Sequence, residues 1–173
     1  MRSSRSDHRI DSGAVRRLSP DHVQWIRELL AARYTVGMRA TGRSMRPFVN
    51  SGERVWLRTV DRIPSPGDVL MTLRPDSTPV IHRVRRRRYR DGLWWFQTCG
   101  DGSRHPDPWV RLDDVVGLVA RVETATGQAV SFRALTLGSV PIHLRRVISA
   151  TRRRLAHWES RLGHARVLAP FRR

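Results

Sequence analysis

Three short stretches hold side chains that could do chemistry, and they follow one another in a fixed order. The first is Thr41-Gly-Arg-Ser-Met-Arg-Pro47, followed by Gly52-Glu-Arg-Val55. A serine hydroxyl is a poor nucleophile at neutral pH until a neighbouring base accepts its proton. In a tight turn made by Gly42, Arg43 and Ser44, the Ser44 oxygen would stand exposed, and backbone N–H groups would face a developing oxyanion. The second stretch is Pro79-Val-Ile-His-Arg-Val84. On a strand, Val80, His82 and Val84 share one face, so the imidazole projects among apolar neighbours. Partial burial there favours the neutral ring, which suits a general base near neutral pH. The third is Thr98-Cys-Gly-Asp101, then Pro106-Asp107-Pro108. Either Asp101 or Asp107 could hold His82 in the required tautomer. Taken singly, each residue has a plainer use: serine caps helices, a lone histidine is often structural, and aspartate is common in turns.

Composition removes several alternatives. All 33 Lys and Arg residues of the 173-residue chain are arginine, so no mechanism can use a lysine base, a Schiff base or a P-loop lysine. Cys99 is the one cysteine, which excludes an intramolecular disulfide and a cysteine-based metal cluster. The seven histidines show no HExxH-type spacing, so no metal and no cofactor is implied. A net charge of +18 suits a nucleic-acid partner. However, complete replacement of Lys by Arg along the whole chain looks like compositional bias rather than a binding face. Nucleic acid is therefore not the favoured partner.

The elements that must position these residues can be read from spacing. Residues 1 to 18 read as a disordered basic arm. Ser19-Pro20-Asp21 is a helix start, with Val23, Ile26, Leu29 and Leu30 at helical spacing over residues 20 to 34. From residue 36 to about 133 the period becomes alternating, and Gly, Pro and Asp turns punctuate it. Strands are expected near 36–41, 53–60, 68–74, 78–87, 92–99 and 115–123, with a weaker one near 129–133. Arg90-Asp-Gly92 should close a hairpin. The fold class is thus mostly β, a coiled antiparallel sheet or small barrel with one N-terminal helix. Residues 134 to 173 form a basic tail. Within it, residues 141 to 163 predict an amphipathic helix with a Leu144, Ile148, Leu155, Trp158, Leu162 stripe among arginines. That helix could pack on the domain, pack on a second copy or lie on an anionic membrane surface. No stretch approaches the ~20 apolar residues of a membrane span, and the polar N-terminus is not a secretory signal. The expectation is a cytoplasmic protein, peripheral to a membrane at most.

Taken together, SMRPFVNSGERV, PGDVLMTL, VIHRV, CGDGSRHPDP and VVGLVARV resemble, in this order, the boxes of the type I signal peptidases and their relatives. That superfamily includes the self-cleaving SOS-response and phage repressors. The resemblance spans roughly residues 36 to 123. It implies a coiled, mostly antiparallel β fold and a serine peptidase. One branch of the family uses a Ser–Lys dyad. The other, typical of archaea and the endoplasmic reticulum, uses Ser–His with Asp, and this lysine-free chain resembles the second. The resemblance implies Ser44 as nucleophile, His82 as base, Asp101 as the aspartate of the GD box and Asp107 as the acid after it. It also implies the Ser44 N–H as one oxyanion donor, and Met45 and Pro47 as substrate contacts. Gly42 stands where the family commonly has a small hydroxyl residue, and Gly52-Glu53 stands where it has Gly-Asp.

The expected activity is endopeptidase cleavage of a peptide or protein segment, leader-like or its own, through an acyl-enzyme on Ser44. Two other functions fit parts of the sequence. One is a DNA-binding regulator related to the repressors, which the Arg85–Arg88 run favours and the single preceding helix opposes. The other is a relative that binds without cleaving, to which Gly42 points. The oligomeric state is not legible in the sequence.

Overall fold

A computed structural model describes residues 7–9, 17–124 and 126–131, all within one compact unit, Met1–Ser139. The expected helix over 141 to 163 lies outside the described residues. Helix α1 spans Pro20–Ala31, and its start follows from its first three residues. The Ser19 side chain accepts from the His22 N–H at 3.3 Å, Pro20 needs no N–H partner, and Asp21 lies at the positive end of the helix dipole. Ile26 and Leu30 face the core. The helix ends three residues before the spacing suggests. Arg33 takes a left-handed conformation (φ 67°), its N–H donates to Leu30 O, and the Tyr34 N–H reaches back to Leu29 O. That pair of bonds is a Schellman stop, with arginine in the place glycine usually fills.

The strands are β1 (Asp7–Arg9), β2 (Thr35–Arg39), β3 (Arg54–Arg58), β4 (Val69–Leu73), β5 (Pro79–Arg90), β6 (Leu93–Cys99), β7 (Trp109–Arg111), β8 (Val115–Glu123) and β9 (Ala129–Ser131). Seven of them, β2 to β8, form an antiparallel curled half-barrel in the order β2-β3-β8-β4-β5-β6-β7. Strand β1 adds to β2 in parallel, and β9 adds to β8. Two strands depart from the sequence reading. Strand β1 lies inside the stretch expected to be a disordered arm, and β7, three residues long, is too short to give a periodic signal. Register shifts at Trp56/Leu57, Met71/Thr72 and Val84/Arg86 bend their strands, and such bulges supply the curl.

The sheet is apolar on both faces. Along β4, Val69 and Met71 enter one cluster with Ile26, Leu30, Val36 and Val55, while Leu70 enters a second with Val84, Phe96 and Leu118. Successive side chains of a strand point to opposite faces, so a strand covered on both sides reads as a continuous apolar run. The hairpin between β5 and β6 turns at Asp91 and Gly92, both with positive φ, the two-residue geometry that matches strand twist. Among the described residues, no helix is long and apolar enough to cross a membrane.

Candidate active site

Ser44 lies in the loop between β2 and β3, and that loop is fixed at both ends. The Ala40 N–H donates to Glu53 O at 2.7 Å, and the Gly52 N–H donates to Ala40 O at 2.8 Å. The buried Glu53 carboxylate accepts from the Asn50 N–H and its Nδ2, at 2.8 and 2.9 Å. The Glu53 carboxylate thus acts as a clamp across the loop's neck. Met45, Phe48 and Val49 anchor the loop from below by entering the main core cluster. Gly42, at φ 89°, turns the chain where a side chain would be strained. Ser44 itself is exposed.

His82 comes from β5 and is buried, with only 6% of its surface exposed. Its Nε2 is 2.9 Å from Ser44 Oγ, and its Nδ1 is 2.6 Å from Asp107 Oδ2. An ionised carboxylate only accepts, so Nδ1 carries the proton and Nε2 is left to accept from the serine hydroxyl. Asp107 is held in turn. Its Oδ2 accepts from Thr98 Oγ1 at 2.7 Å, and its N–H donates to Thr98 O at 2.8 Å. Burial pushes the Asp107 carboxyl up. The hydrogen bonds from His82 and Thr98, with the charges of His82 and Arg74, outweigh that and hold it below the ordinary aspartate value of 3.8.

That depression fixes the sign of a pH effect. The bonds to ionised Asp107 stabilise the fold fully above the unfolded-state value, and this is lost only as pH falls through the lower folded-state value. The stability difference between the native chain and Asp107→Asn should therefore shrink as pH falls through and below the ordinary carboxylate range. Thermal melts across that range check it, and a difference that grew there would contradict the assignment.

Asp101, the other candidate partner of His82, is engaged elsewhere. It is buried at 1% exposure and grips Arg83, also 1% exposed, through Nε at 2.9 Å and a terminal guanidinium nitrogen at 2.7 Å. A second carboxylate contact runs to Arg85 at 3.5 Å. Arg83 also donates to Gly67 O at 2.7 Å and stacks over the Phe48 ring at 5.0 Å. This pair therefore ties β5 to the serine loop and to the turn before β4. Because adjacent strand residues point oppositely, His82 can serve the site while Arg83 faces away from it.

Gly100 closes the arrangement from above. A Cβ built there would lie 2.6 Å from Ser44 O, 2.9 Å from Ser44 Cβ and 3.1 Å from His82 Nε2. The first contact is with backbone whose oxygen already accepts from the Gly102 N–H at 2.7 Å, so it cannot move freely. Gly100→Ala should leave a folded protein whose Ser44-dependent activity falls by about a hundredfold, the scale of a misplaced reacting group. Wild-type rates in that variant would show the contact to be absorbed.

The residues predicted from sequence are thus brought together in part. Ser44, His82 and Asp107 form a hydrogen-bonded chain, and Asp101 does not join it. The Ser44 N–H has no hydrogen-bond partner among the described residues, and Gly42 and Arg43 flank it on the open side of the loop. Met45 borders the cleft beside Ser44 but is mostly core, and Pro47 is not among the cleft-lining residues. Glu53, Arg83, Thr98 and Gly100 went without roles in the sequence reading. Thr98 and Gly100 lie inside the Thr98-Cys-Gly-Asp101 box, the one signal that marks them. No cluster of three or more His, Cys, Asp or Glu suited to a metal ion occurs among the described residues.

A cleft of about 290 Å³ opens in front of Ser44 and His82. One wall is Pro79–His82 of β5, which pairs with β4 on one side and, among the described residues, has no strand on the other, because β6 begins pairing at Arg83. The opposite wall is the stretch from Met38 to Thr41, beyond the three residues of β2 that β1 covers. Met38, Met71 and Ile81 line the space between them. No protein-family model matches the chain, and no curated protein matches it.

Proposed function

We propose that this chain is a serine endopeptidase of the signal-peptidase-like type, with Ser44 as nucleophile, His82 as general base and Asp107 as the residue that orients His82. The observation that carries the reading is the continuous pair of contacts, 2.9 Å from Ser44 Oγ to His82 Nε2 and 2.6 Å from His82 Nδ1 to Asp107. A nucleophile within reach of a base, itself oriented by a third group, is the arrangement acyl transfer requires. The cleft supports a peptide as the substrate. Two strand edges without neighbours among the described residues offer backbone N–H and C=O groups to an extended chain, which would add as a strand and present its carbonyl to Ser44.

In that mechanism Ser44 Oγ attacks the peptide carbonyl while its proton passes to His82 Nε2. The imidazolium, stabilised by Asp107, returns the proton to the leaving amine as the C–N bond breaks. Water then attacks the Ser44 ester, giving its proton to His82, and the acid is released with Ser44 restored. The Ser44 N–H is one donor available to the oxyanion of both steps, since it engages no other hydrogen bond among the described residues.

A fluorophosphonate probe tests the assignment without knowledge of the substrate. Mass spectrometry should place one adduct on Ser44, and it should vanish in His82→Ala. Absence of an adduct on the folded native chain would sink the peptidase reading and leave a binding-only relative.

A further inference from the structure

We infer that the cleft takes an acidic peptide: an extended segment with apolar side chains at the scissile bond and a carboxylate about three or four residues away. This rests on the peptidase reading and specifies its substrate class. Three arginines line the cleft, namely Arg39 at the end of β2, Arg43 beside the nucleophile, and Arg74 where β4 turns into β5. All three are exposed, and no Asp or Glu lines the cleft with them.

What sets these arginines apart from the general basic excess is their place around one cleft that no carboxylate lines. Elsewhere carboxylates are matched to arginines: Asp61 to Arg58, Asp68 to Arg62, Asp101 to Arg83 and Arg85, and Asp114 to Arg111. Arg39, Arg43 and Arg74 have no carboxylate within ion-pair distance among the described residues. Arg39 donates only to the Gly52 carbonyl, at 3.3 Å. Asp107, whose charge Arg74 senses, is already committed to His82 and Thr98. The cleft is thus a positive field around an apolar floor, and such a field favours a ligand of opposite charge.

The register sets the position of the charge. Arg74 precedes the turn whose strand partners are Leu73 and Pro79, and His82 lies three residues further along β5. At about 3.3 Å per strand residue that is about 10 Å, so a carboxylate reaching Arg74 belongs about three or four residues from the bond at Ser44. Guanidinium groups also form paired hydrogen bonds to carboxylates, which adds selection for Asp or Glu over a diffuse negative charge.

Binding to the uncleaving Ser44→Ala chain provides the test. Fluorescent decapeptides would share an Ala/Val/Leu centre and differ in carrying Glu, Gln or Arg four residues from it. The Glu peptide should bind up to about fivefold tighter than the Gln peptide in low salt, as one partly exposed ion pair allows. The Arg peptide should be weaker still, and the gap should narrow as salt rises. Arg39→Gln combined with Arg74→Gln should erase the preference. Arg86→Gln with Arg88→Gln, outside the cleft, should preserve it. Equal binding of the Glu and Gln peptides, or no binding by any, would overturn the inference. A preference that survives in Arg39→Gln/Arg74→Gln would do so too, because it would belong to the net charge. Failure of the fluorophosphonate adduct, by contrast, would sink the peptidase reading while leaving these affinities as measured.

Discussion

Ser44→Ala should abolish cleavage of any peptide the native chain cuts, and His82→Ala should lower kcat by about four orders of magnitude or more. Both should leave the folded state intact, since Ser44 is exposed and His82 lines the cleft, where water can take the place of its ring. The reason for so large an effect is cooperative. The hydroxyl is activated only by a neutral ring nitrogen 2.9 Å away, and that nitrogen accepts only while Asp107 keeps the proton on the other side. Asp107→Asn should therefore lose much of the same rate, because an amide can present a donor to Nδ1 and stabilise the wrong tautomer. Thr98→Val would test the layer behind it, with a smaller loss, since it removes one of two bonds that hold the Asp107 carboxylate. Steady-state kinetics beside thermal unfolding separates these losses from misfolding. Cleavage at wild-type rates by Ser44→Ala would end the assignment.

The second large effect is on stability. Removing one partner of the buried Arg83–Asp101 pair strands the other charge where each side chain is almost wholly covered. Such an uncompensated charge costs on the order of 3–5 kcal/mol, so Arg83→Met and Asp101→Asn should each shift the urea midpoint strongly. The double change Arg83→Met/Asp101→Leu should cost clearly less than the sum of single changes, because neither fully buried charge is then left alone and Arg85, which loses its contact to Asp101, is partly exposed. A double-mutant cycle in chemical denaturation measures this directly. Additive losses would show that the two groups do not act as a pair.

The extent to which all this was legible in the sequence differs by element, for physical reasons. Helix α1 was readable because its signals are local: a serine cap, proline at the first position and apolar spacing. Its end was misjudged because the stop depends on Arg33 adopting a left-handed conformation that its residue type does not announce. The strands of the sheet were readable from turn residues and β-rich runs, whereas β7 is three residues long and β1 lies in a polar stretch. At the site, Ser44 and His82 stood out through residue type and order. The choice between Asp101 and Asp107 did not, because it depends on which aspartate meets the arginine that follows His82. Nothing in the sequence marks Arg83, which stands two residues before the Arg85–Arg88 run. Its burial follows from strand alternation combined with a sheet covered on both faces, and only the second condition was hidden.

The pairing of His82 with its neighbour has one more consequence. Around this point β5 reads Val80, Ile81, His82, Arg83, Val84, and apolar side chains of similar size would tolerate a slip of one position along β4. Such a slip would turn each side chain to the opposite face, putting a guanidinium where the imidazole belongs. It would also leave Asp101 facing a ring or an alkyl group in place of its cation. The ion pair thus works as a key for alignment: the strand seats fully in one frame alone, and that frame is the one that aims the imidazole at the serine.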